Sequence, residues 1–292
     1  MSRSRETIVC ALDGSPASDH LALVGAALAE VLDADLECVH VLAGQPAGEP
    51  AARGAHARAG PREQAEAAAR AMLSGTRDVA RVHSEFRLVR YGDPARRIAT
   101  IAEQRGASLI VVGTRSHDGA PDAVLGSVSS RLAADAPCPV LVVPPRVAAA
   151  SRPARWAERT LVCGIDGSEP GWGAARHAAA LAARLRGSLL LVTIGAGPAP
   201  SQAEIRRRLA AGAENGSKAS APEVRQDLRS GDPAWELERV AAASTAPLIA
   251  IGSRGRGPLD AGLLGPVARR VLRAARRPIL VFPATALLDD EG

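Results

Sequence analysis

The sequence has few aromatic residues and almost no lysine. Aromatics make up 2% of the 292 residues, and Lys218 is the only lysine. The hydrophobic fraction is nevertheless 47%, which is enough to bury real cores and argues against wholesale disorder. Those cores must therefore consist mainly of Ala, Val, Leu and Ile. The length is that of about two ordinary domains.

Long apolar runs and cysteine motifs are also missing. No apolar run approaches the ~20 residues that span a bilayer, and the polar segment 1–6 leads directly into a strand, which leaves no room for a signal peptide. The cysteines form no CxxC pair, and no His stands at zinc-ligand spacing. We expect buried, reduced thiols, no protein-held metal, no membrane partner and a cytoplasmic location. The cysteines are Cys10, Cys38, Cys138 and Cys163.

The basic charge raises the question of nucleic acid. The formal net charge is +5 and the pI is about 9.6. The arginines occur along both halves and alternate with Asp and Glu, whereas a nucleic-acid binder usually concentrates basic residues on one element beside stacking aromatics. A solvated basic surface is the better interpretation, and we expect no nucleic-acid partner.

An internal repeat is the main signal in the sequence. Four motifs of the first half recur in the same order in the second. In the first half they are TIVCALD (7–13), YGDPA (91–95), LIVVGTR (109–115) and PVLVVP (139–144). In the second half they are TLVCGID (160–166), SGDPA (230–234), LIAIGSR (248–254) and PILVFP (278–283). The chain is therefore a duplication.

The spacing between landmarks supports the duplication. The intervals from Asp13 to Val41 and from Asp166 to Ile194 are both 28 positions. The one interval that differs leaves 14 extra residues in the first half, within 43–62, where a loop accommodates an insertion at small cost. The Pro-rich segment 144–158 has no hydrophobic period and is interpreted as a linker. We expect domains at 1–146 and 158–284.

Each half alternates short β-branched runs with longer helical periods. In the first half the pattern predicts strands at 7–13, 36–42, 83–90, 108–114 and 139–143, and helices at 17–33, near 62–80, 94–106 and 127–136. Several strands are continuous apolar runs, which is typical of a parallel sheet covered on both faces. The fold class is α/β: two doubly wound, parallel five-stranded, Rossmann-like domains in tandem.

Ligands of such sheets bind beyond the carboxyl ends of the strands, where the strand order reverses. The segment after the fourth strand, Gly113-Thr-Arg-Ser116, is followed nine residues later by Gly126-Ser127 at a predicted helix start. A glycine loop that leads into a helix N-terminus presents bare N–H groups and the positive end of the helix dipole. The sequence therefore predicts a phosphate-sized anion site there, and a related one at 252–266.

The pattern Gly-x-x-Gly-x9-Gly-Ser/Thr, after a strand-ending Asp and before a Pro-Val-Leu-Val-Val strand, resembles the ATP-binding signature of the universal stress protein family. The resemblance covers nearly the whole chain, twice. It implies an adenine nucleotide, ATP with Mg²⁺, as ligand. It also implies pairing of 140–143 with 279–282 into an intramolecular pseudo-dimer, with a further homodimer left open.

The resemblance also assigns site residues by position. Adenine and ribose would lie near Asp13 and Val41 in the first half and near Asp166 and Ile194 in the second. The phosphates would contact loop and helix residues of each half. These are Gly113, Arg115, Gly126, Ser127 and Ser129 in the first half, and Gly252, Arg254, Gly255 and Gly265 in the second.

Neither half matches the pattern fully. Ser116 replaces the second glycine of the first half, and Pro266 replaces the Ser/Thr of the second half, which removes one N–H and one hydroxyl. Simpler roles stay open: Asp13 and Asp166 can cap turns, the glycines can serve tight turns, and the arginines can be solvated. We favour nucleotide binding in at least one half, with the first preferred because Gly126 and Ser127 are kept.

Signatures of catalysis are missing from the sequence. There is no Gly-x-Ser-x-Gly elbow, no His-Glu-x-x-His and no Walker A lysine. The leading hypothesis is a cytoplasmic stress-response module that binds ATP without a dedicated catalytic apparatus, with at most weak ATP hydrolysis. The alternative is a nucleotide-free interaction protein with vestigial sites.

Overall fold

The computed structural model describes most of both halves of the chain. The described residues are 5–15, 17–42, 83–90, 92–114, 125–145, 155–195, 199–210, 221–255, 263–287. The predicted helix near 62–80 and the whole segment 43–62, which contains the 14-residue insertion, lie outside them.

The first half contributes five strands and three helices among the described residues. The strands are β1 Thr7–Leu12, β2 Asp35–Leu42, β3 Ser84–Arg90, β4 Ala107–Gly113 and β5 Val140–Val143. The helices are α1 Ala17–Leu32, α2 Pro94–Arg105 and α3 Ser127–Asp135. Every one of these elements was predicted, with ends that agree to within one residue.

The second half repeats this order and adds a described helix, α5. Its strands are β6 Thr160–Ile165, β7 Ser188–Ile194, β8 Glu223–Arg229, β9 Ile249–Gly252 and β10 Ile279–Phe282. Its helices are α4 Glu169–Arg184, α5 Gln202–Ala210, α6 Pro233–Ala243 and α7 Pro266–Ala274, and a 3₁₀ turn, Ala284–Leu287, follows β10.

All ten strands form one continuous sheet in the order β3-β2-β1-β4-β5-β10-β9-β6-β7-β8. Each half is parallel and has the same internal order, which confirms the predicted duplication and fold class. The halves join where β5 and β10 pair antiparallel, with Val142 opposite Ile279 and Val140 opposite Val281. The predicted pairing of the last strands is therefore present within one chain.

Helices cover both faces of this sheet, so the central strands are buried on both sides, whereas the edge strands β3 and β8 are partly exposed. Ile8, Cys10 and Leu12 of β1 point into the layer of α1, α4 and α5. Val9 and Ala11 point into the layer of α2, α3, α6 and α7. No helix among the described residues is long and apolar enough to cross a membrane.

The core is mainly aliphatic, as the composition predicts, but a few aromatics occupy its largest positions. Trp156, Trp172 and Phe282 are almost fully buried. Trp156 belongs to the segment predicted to be a linker, and the N–H of Glu158 donates to the carbonyl of Leu185 at 2.9 Å. The end of the linker is therefore packed onto the second half, because its tryptophan has a place in that core.

The repeated Gly-Asp-Pro-Ala motifs begin equivalent helices. Asp93 caps α2 by accepting the N–H of Arg96 at 2.9 Å, and Asp232 caps α6 by accepting the N–H of Trp235 at 3.1 Å. The proline that follows each Asp lies in the first helical turn, where its missing N–H costs nothing. Local sequence therefore sets the start of both helices.

Candidate functional site

In each half, the strands that precede the predicted ligand-binding loops lie side by side in the sheet. β1 lies between β2 and β4, and β6 lies between β7 and β9. The strand order reverses between β1 and β4 and between β6 and β9, so the carboxyl ends of these strand pairs are neighbours. The fold therefore brings the Asp13 turn beside the end of β4, and the Asp166 turn beside the end of β9.

Asp13 organises the turn between β1 and α1. Its Oδ1 accepts the backbone N–H of Ser15 at 3.0 Å and the hydroxyl of Ser18 at 2.8 Å. The Ser18 hydroxyl oxygen in turn accepts the N–H groups of Asp13 and Gly14. Gly14 has φ of +78°, a left-handed conformation that suits glycine. One oxygen of Asp13 thus has the turn-capping role left open by the sequence.

Asp166 has the same arrangement with a different serine. Its Oδ1 accepts both the backbone N–H of Ser168, at 3.0 Å, and the Ser168 hydroxyl, at 2.6 Å. Ser168 also caps α4, because its hydroxyl oxygen accepts the N–H of Gly171 at 3.2 Å. Sequence reasoning did not single out Ser18 or Ser168, although a serine close after an Asp-Gly turn is a known capping signal.

Each of the two predicted anion loops ends in a glycine that is hydrogen-bonded back to the strand end. The N–H of Gly126 donates to Thr114 at 2.7 Å, and the N–H of Gly265 donates to Ser253 at 2.8 Å. Both glycines are helix N-caps in extended conformation, and neither helix has a side-chain cap. Among the described residues, the first N–H groups of α3 and α7 therefore have no side-chain cap near the ends of β4 and β9, although Pro266 removes one of them from α7.

The two serines of the first-half loop have different environments. Ser127 is exposed at the start of α3, whereas Ser129 is buried. The Ser129 hydroxyl lies 3.0 Å from the Gly126 carbonyl and 3.3 Å from the Thr114 carbonyl. Its hydrogen is thus used within the protein, and Ser127 is the hydroxyl that remains exposed at this helix end.

The glycines of the second-half loop are required by close packing of the protein on itself. A Cβ on Gly252 would lie 2.7 Å from the backbone N of Gly171, at the start of α4. A Cβ on Gly255 would lie 2.6 Å from Oδ2 of Asp166. These distances are far below contact, so a side chain at either position would push the loop away from α4 or from Asp166.

Arg254 fastens this loop on both sides. Its Nε donates to the carbonyl of Leu263 at 3.1 Å, and its own carbonyl lies 3.3 Å from the Ser168 hydroxyl. Its Nη2 is buried and has no hydrogen-bond partner among the described residues. The hydroxyl of Thr193, near the end of β7, is likewise buried without a partner in the described part of the chain.

The remaining predicted residues lie at the strand ends. Val41 is buried in the core at the end of β2, and Ile194 is half-buried at the end of β7. Gly113 is the last residue of β4 and pairs with Val143. Arg115 lies outside the described residues. The described residues contain no group of three or more His, Cys, Asp or Glu that could hold a metal ion.

Two α/β units of the same strand order, joined in one continuous sheet, define a tandem protein of the Rossmann-like class. The family model for universal stress proteins matches this chain twice, over residues 4–144 and over residues 158–283. The chain therefore belongs to the universal stress protein family, as a tandem member.

Known relatives agree with this assignment. A universal stress protein of Mycolicibacterium smegmatis is 33% identical over 193 residues, 62% of this chain and 63% of the relative. One from Thermus aquaticus is 36% identical over 140 residues, which cover 47% of this chain and 98% of the relative. The mycobacterial alignment thus spans less than two thirds of that protein's length.

Solved structures show the same fold. A universal stress protein from Archaeoglobus fulgidus is 22% identical and has a TM-score of 0.65, covering 95% of this chain and 96% of its own. A putative universal stress protein from Pseudomonas aeruginosa is 17% identical and has a TM-score of 0.64, covering 99% and 97%.

Proposed function

We propose that this protein is a cytoplasmic stress-response module that binds an adenine nucleotide, ATP with Mg²⁺, in at least one half. Binding without a dedicated catalytic apparatus is the proposed activity, and the intramolecular pseudo-dimer is the proposed functional unit. The observation that carries the proposal is the pair of helix N-termini, α3 and α7, which face the switch point without side-chain caps.

The first half is the proposed principal site. The N–H groups at the start of α3 and the exposed hydroxyl of Ser127 would hold the phosphates, because both are donors at the positive end of a helix dipole. Asp13 and the end of β2 at Val41 would contact the ribose and adenine. Mg²⁺ would be held chiefly by the phosphates, as is usual for Mg²⁺-nucleotide complexes.

The second half offers a weaker version of the same site. The buried Nη2 of Arg254 and the buried hydroxyl of Thr193 are hydrogen-bonding groups left over at this edge, and a phosphate and a ribose hydroxyl would satisfy them. Gly252 and Gly255 let the loop lie close to α4 and Asp166, and Gly265 begins α7. Pro266, however, has no N–H to offer a phosphate. We therefore propose at most one site of moderate affinity per chain, in the micromolar range or weaker.

Calorimetric titration of the full chain with MgATP tests this proposal. We expect Gly126→Val to abolish binding, because its side chain would occupy the space of the phosphates, and Ser127→Ala to weaken it about fivefold or more. Ser130→Ala, one turn further into the same helix, is the matched control and should bind like the parent. Pro266→Ser should create or strengthen binding in the second half.

The second candidate function is a nucleotide-free interaction module. It is favoured by the contacts that hold the second-half loop against the protein itself, between Gly255 and Asp166 and between Arg254 and Leu263. Absence of heat with ATP, together with mass spectrometry that finds no nucleotide released from the denatured protein, would establish this alternative and overturn the first.

A further inference from the structure

The helix α7 and the turn after it carry an unusual density of positive charge. Five arginines and no acidic residue occur within the nine positions 269–277, namely Arg269, Arg270, Arg273, Arg276 and Arg277. The expectation that arginines are spread without local concentration thus fails for this segment. All of them except the half-buried Arg277 are exposed.

Only two of these arginines are paired with carboxylates among the described residues. Arg270 contacts Asp232, and Arg277 contacts Glu238 at 2.8 Å as well as the Ala241 carbonyl. Arg269 donates to the Leu264 carbonyl at 3.3 Å, which leaves its charge uncompensated. Arg273 and Arg276 have no carboxylate partner in the described part of the chain.

Two of the uncompensated arginines share one side of the helix, because Arg269 and Arg273 are four residues apart within α7. Arg276 follows in the turn after the helix, and these three arginines form the basic stripe. Like charges at the spacing of Arg269 and Arg273 destabilise a helix. The fold retains this repulsion although the buried face of α7 consists of Ala268, Val271 and Leu272, so the arginines lie outside the core contacts of the helix.

The first half provides an internal control for this feature. The pair Arg270–Asp232 has its counterpart in Arg131–Asp93, so this contact belongs to the shared fold. At the positions of Arg269, Arg273 and Arg276 the first half has Ser130, Ala134 and Pro137. Because α3 forms the same helix without them, the three arginines are additions of the second half that the fold does not require.

An exposed tryptophan lies on α6, the helix that packs beside α7. Trp235, in the first turn of α6, is 64% exposed, and the guanidinium of Arg239 lies 5.5 Å from its ring centroid. The carboxylate of Asp232 links the two helices, since it accepts the N–H of Trp235 and also contacts Arg270. The first half has Arg96 in place of the tryptophan, so this aromatic is also specific to the second half.

We infer that the α6–α7 face of the second half is a binding surface for single-stranded nucleic acid. The arginine stripe would follow the phosphates, and Trp235 would stack on a base, with the guanidinium of Arg239 on its ring. An electropositive track beside an accessible aromatic is the combination by which proteins bind single strands without sequence preference. An acidic peptide would use the arginines but leave the exposed ring of Trp235 without a partner, whereas a nucleotide uses both.

Titration of the full chain with a labelled single-stranded oligonucleotide of about twelve nucleotides tests the inference. With three phosphate contacts, the slope of log affinity against log salt should be about −2. Trp156 and Trp172 are buried, so quenching of the exposed Trp235 on binding reports stacking directly. We expect Trp235→Leu to weaken binding between about fivefold and a hundredfold.

Substitution by the first-half residues tests the stripe. Arg269→Ser with Arg273→Ala should weaken binding at least tenfold and reduce the salt slope to about −0.7. The matched control is Arg206→Ser with Arg207→Ala, on α5 at the opposite face of the sheet, which removes the same charge from two exposed arginines. This control should keep the parent slope and affinity within about twofold.

Several results would overturn the inference. One is no binding by the parent at low salt, and another is an equal loss in the α5 control. Binding with unchanged tryptophan fluorescence and full affinity in Trp235→Leu would reduce the surface to non-specific electrostatics. Binding to vesicles of anionic phospholipid but not to the oligonucleotide would assign the surface to membranes instead.

Discussion

The ring of Phe282 lies directly over the backbone of Gly173. Phe282 is the last residue of β10 and Gly173 lies in the second turn of α4, and a Cβ on the glycine would overlap the ring edge. The imidazole of His177, one turn further along α4, lies 4.9 Å from the ring centroid. The glycine thus makes room for the one phenylalanine that the second half places at the position of Val143.

Gly173→Ala is expected to destabilise the protein by about 1–3 kcal/mol. In an exposed helix interior, alanine usually stabilises a protein relative to glycine by ~1 kcal/mol. Here we expect the substitution to destabilise instead, because the overlap with Phe282 outweighs this gain. Phe282→Val, which introduces the first-half residue, should relieve the overlap. Denaturant unfolding of both single variants and the double variant should therefore give a favourable coupling of at least ~1 kcal/mol; additive costs would contradict this contact.

Trp156 is expected to be essential for the stability of the second half. Its indole is fully buried, so Trp156→Ala should cost about 3–5 kcal/mol in unfolding free energy. Its Nε1 has no hydrogen-bond partner among the described residues, so Trp156→Phe loses volume only and should cost about 1–2 kcal/mol. Urea unfolding followed by circular dichroism measures both, and equal costs would indicate that the N–H has an acceptor.

The cap of α2 should make stability depend on pH in the acid range. The N–H of Arg96, and secondarily Arg131, lowers the pKa of Asp93. Because the pKa of Asp93 is lower in the folded state, its ionised form stabilises the folded protein at any pH above the unfolded-state pKa of about 3.9. This stabilisation is lost as the pH falls through the folded-state pKa. Asp93→Asn, which keeps a cap but no charge, should therefore equal the parent in unfolding free energy only at pH values below the folded-state pKa.

Asp93→Ala removes the cap as well as the charge. We expect it to cost ~1 kcal/mol at neutral pH, with little of this from the ion pair with Arg131, because the carboxylate is 40% exposed. Thermal unfolding between about pH 3 and pH 7 separates the two effects. A constant difference between parent and Asp93→Asn across this range would refute the role of the charge.

The four cysteines should be inert in the native protein. All are buried, and burial raises the pKa of Cys138 to about 12 and also raises that of Cys163. The pKa of Cys10 is raised by a hydrogen bond with Cys38 and by burial. Because the thiolate is the reactive form, alkylation at pH 8 should be negligible until the chain unfolds.

Mass spectrometry after brief treatment with iodoacetamide counts the labelled thiols. We expect none labelled in buffer and four in denaturant, and the rate at intermediate denaturant should follow unfolding. Rapid labelling of any one thiol in buffer would show that its strand opens locally.

The sequence by itself determined the duplication, the strand and helix order and the starts of the helices. These features depend on local chemistry: continuous apolar runs for strands, a hydrophobic period of 3.6 for helices, and caps such as Asp93 and Asp232 immediately before proline. Such signals act within a few residues, so the element ends agreed with the structure to within one residue in the first half.

Tertiary structure alone decided which side chains meet. No local pattern relates Gly173 to Phe282, Arg254 to the carbonyl of Leu263, or Trp235 to Arg270 through Asp232, since those partners are 9 to 109 positions apart in the chain. The same is true of Trp156, whose burial depends on a space in the second-half core. Long-range packing assigns such contacts, because it depends on where helices and strands meet rather than on the residues next to each position.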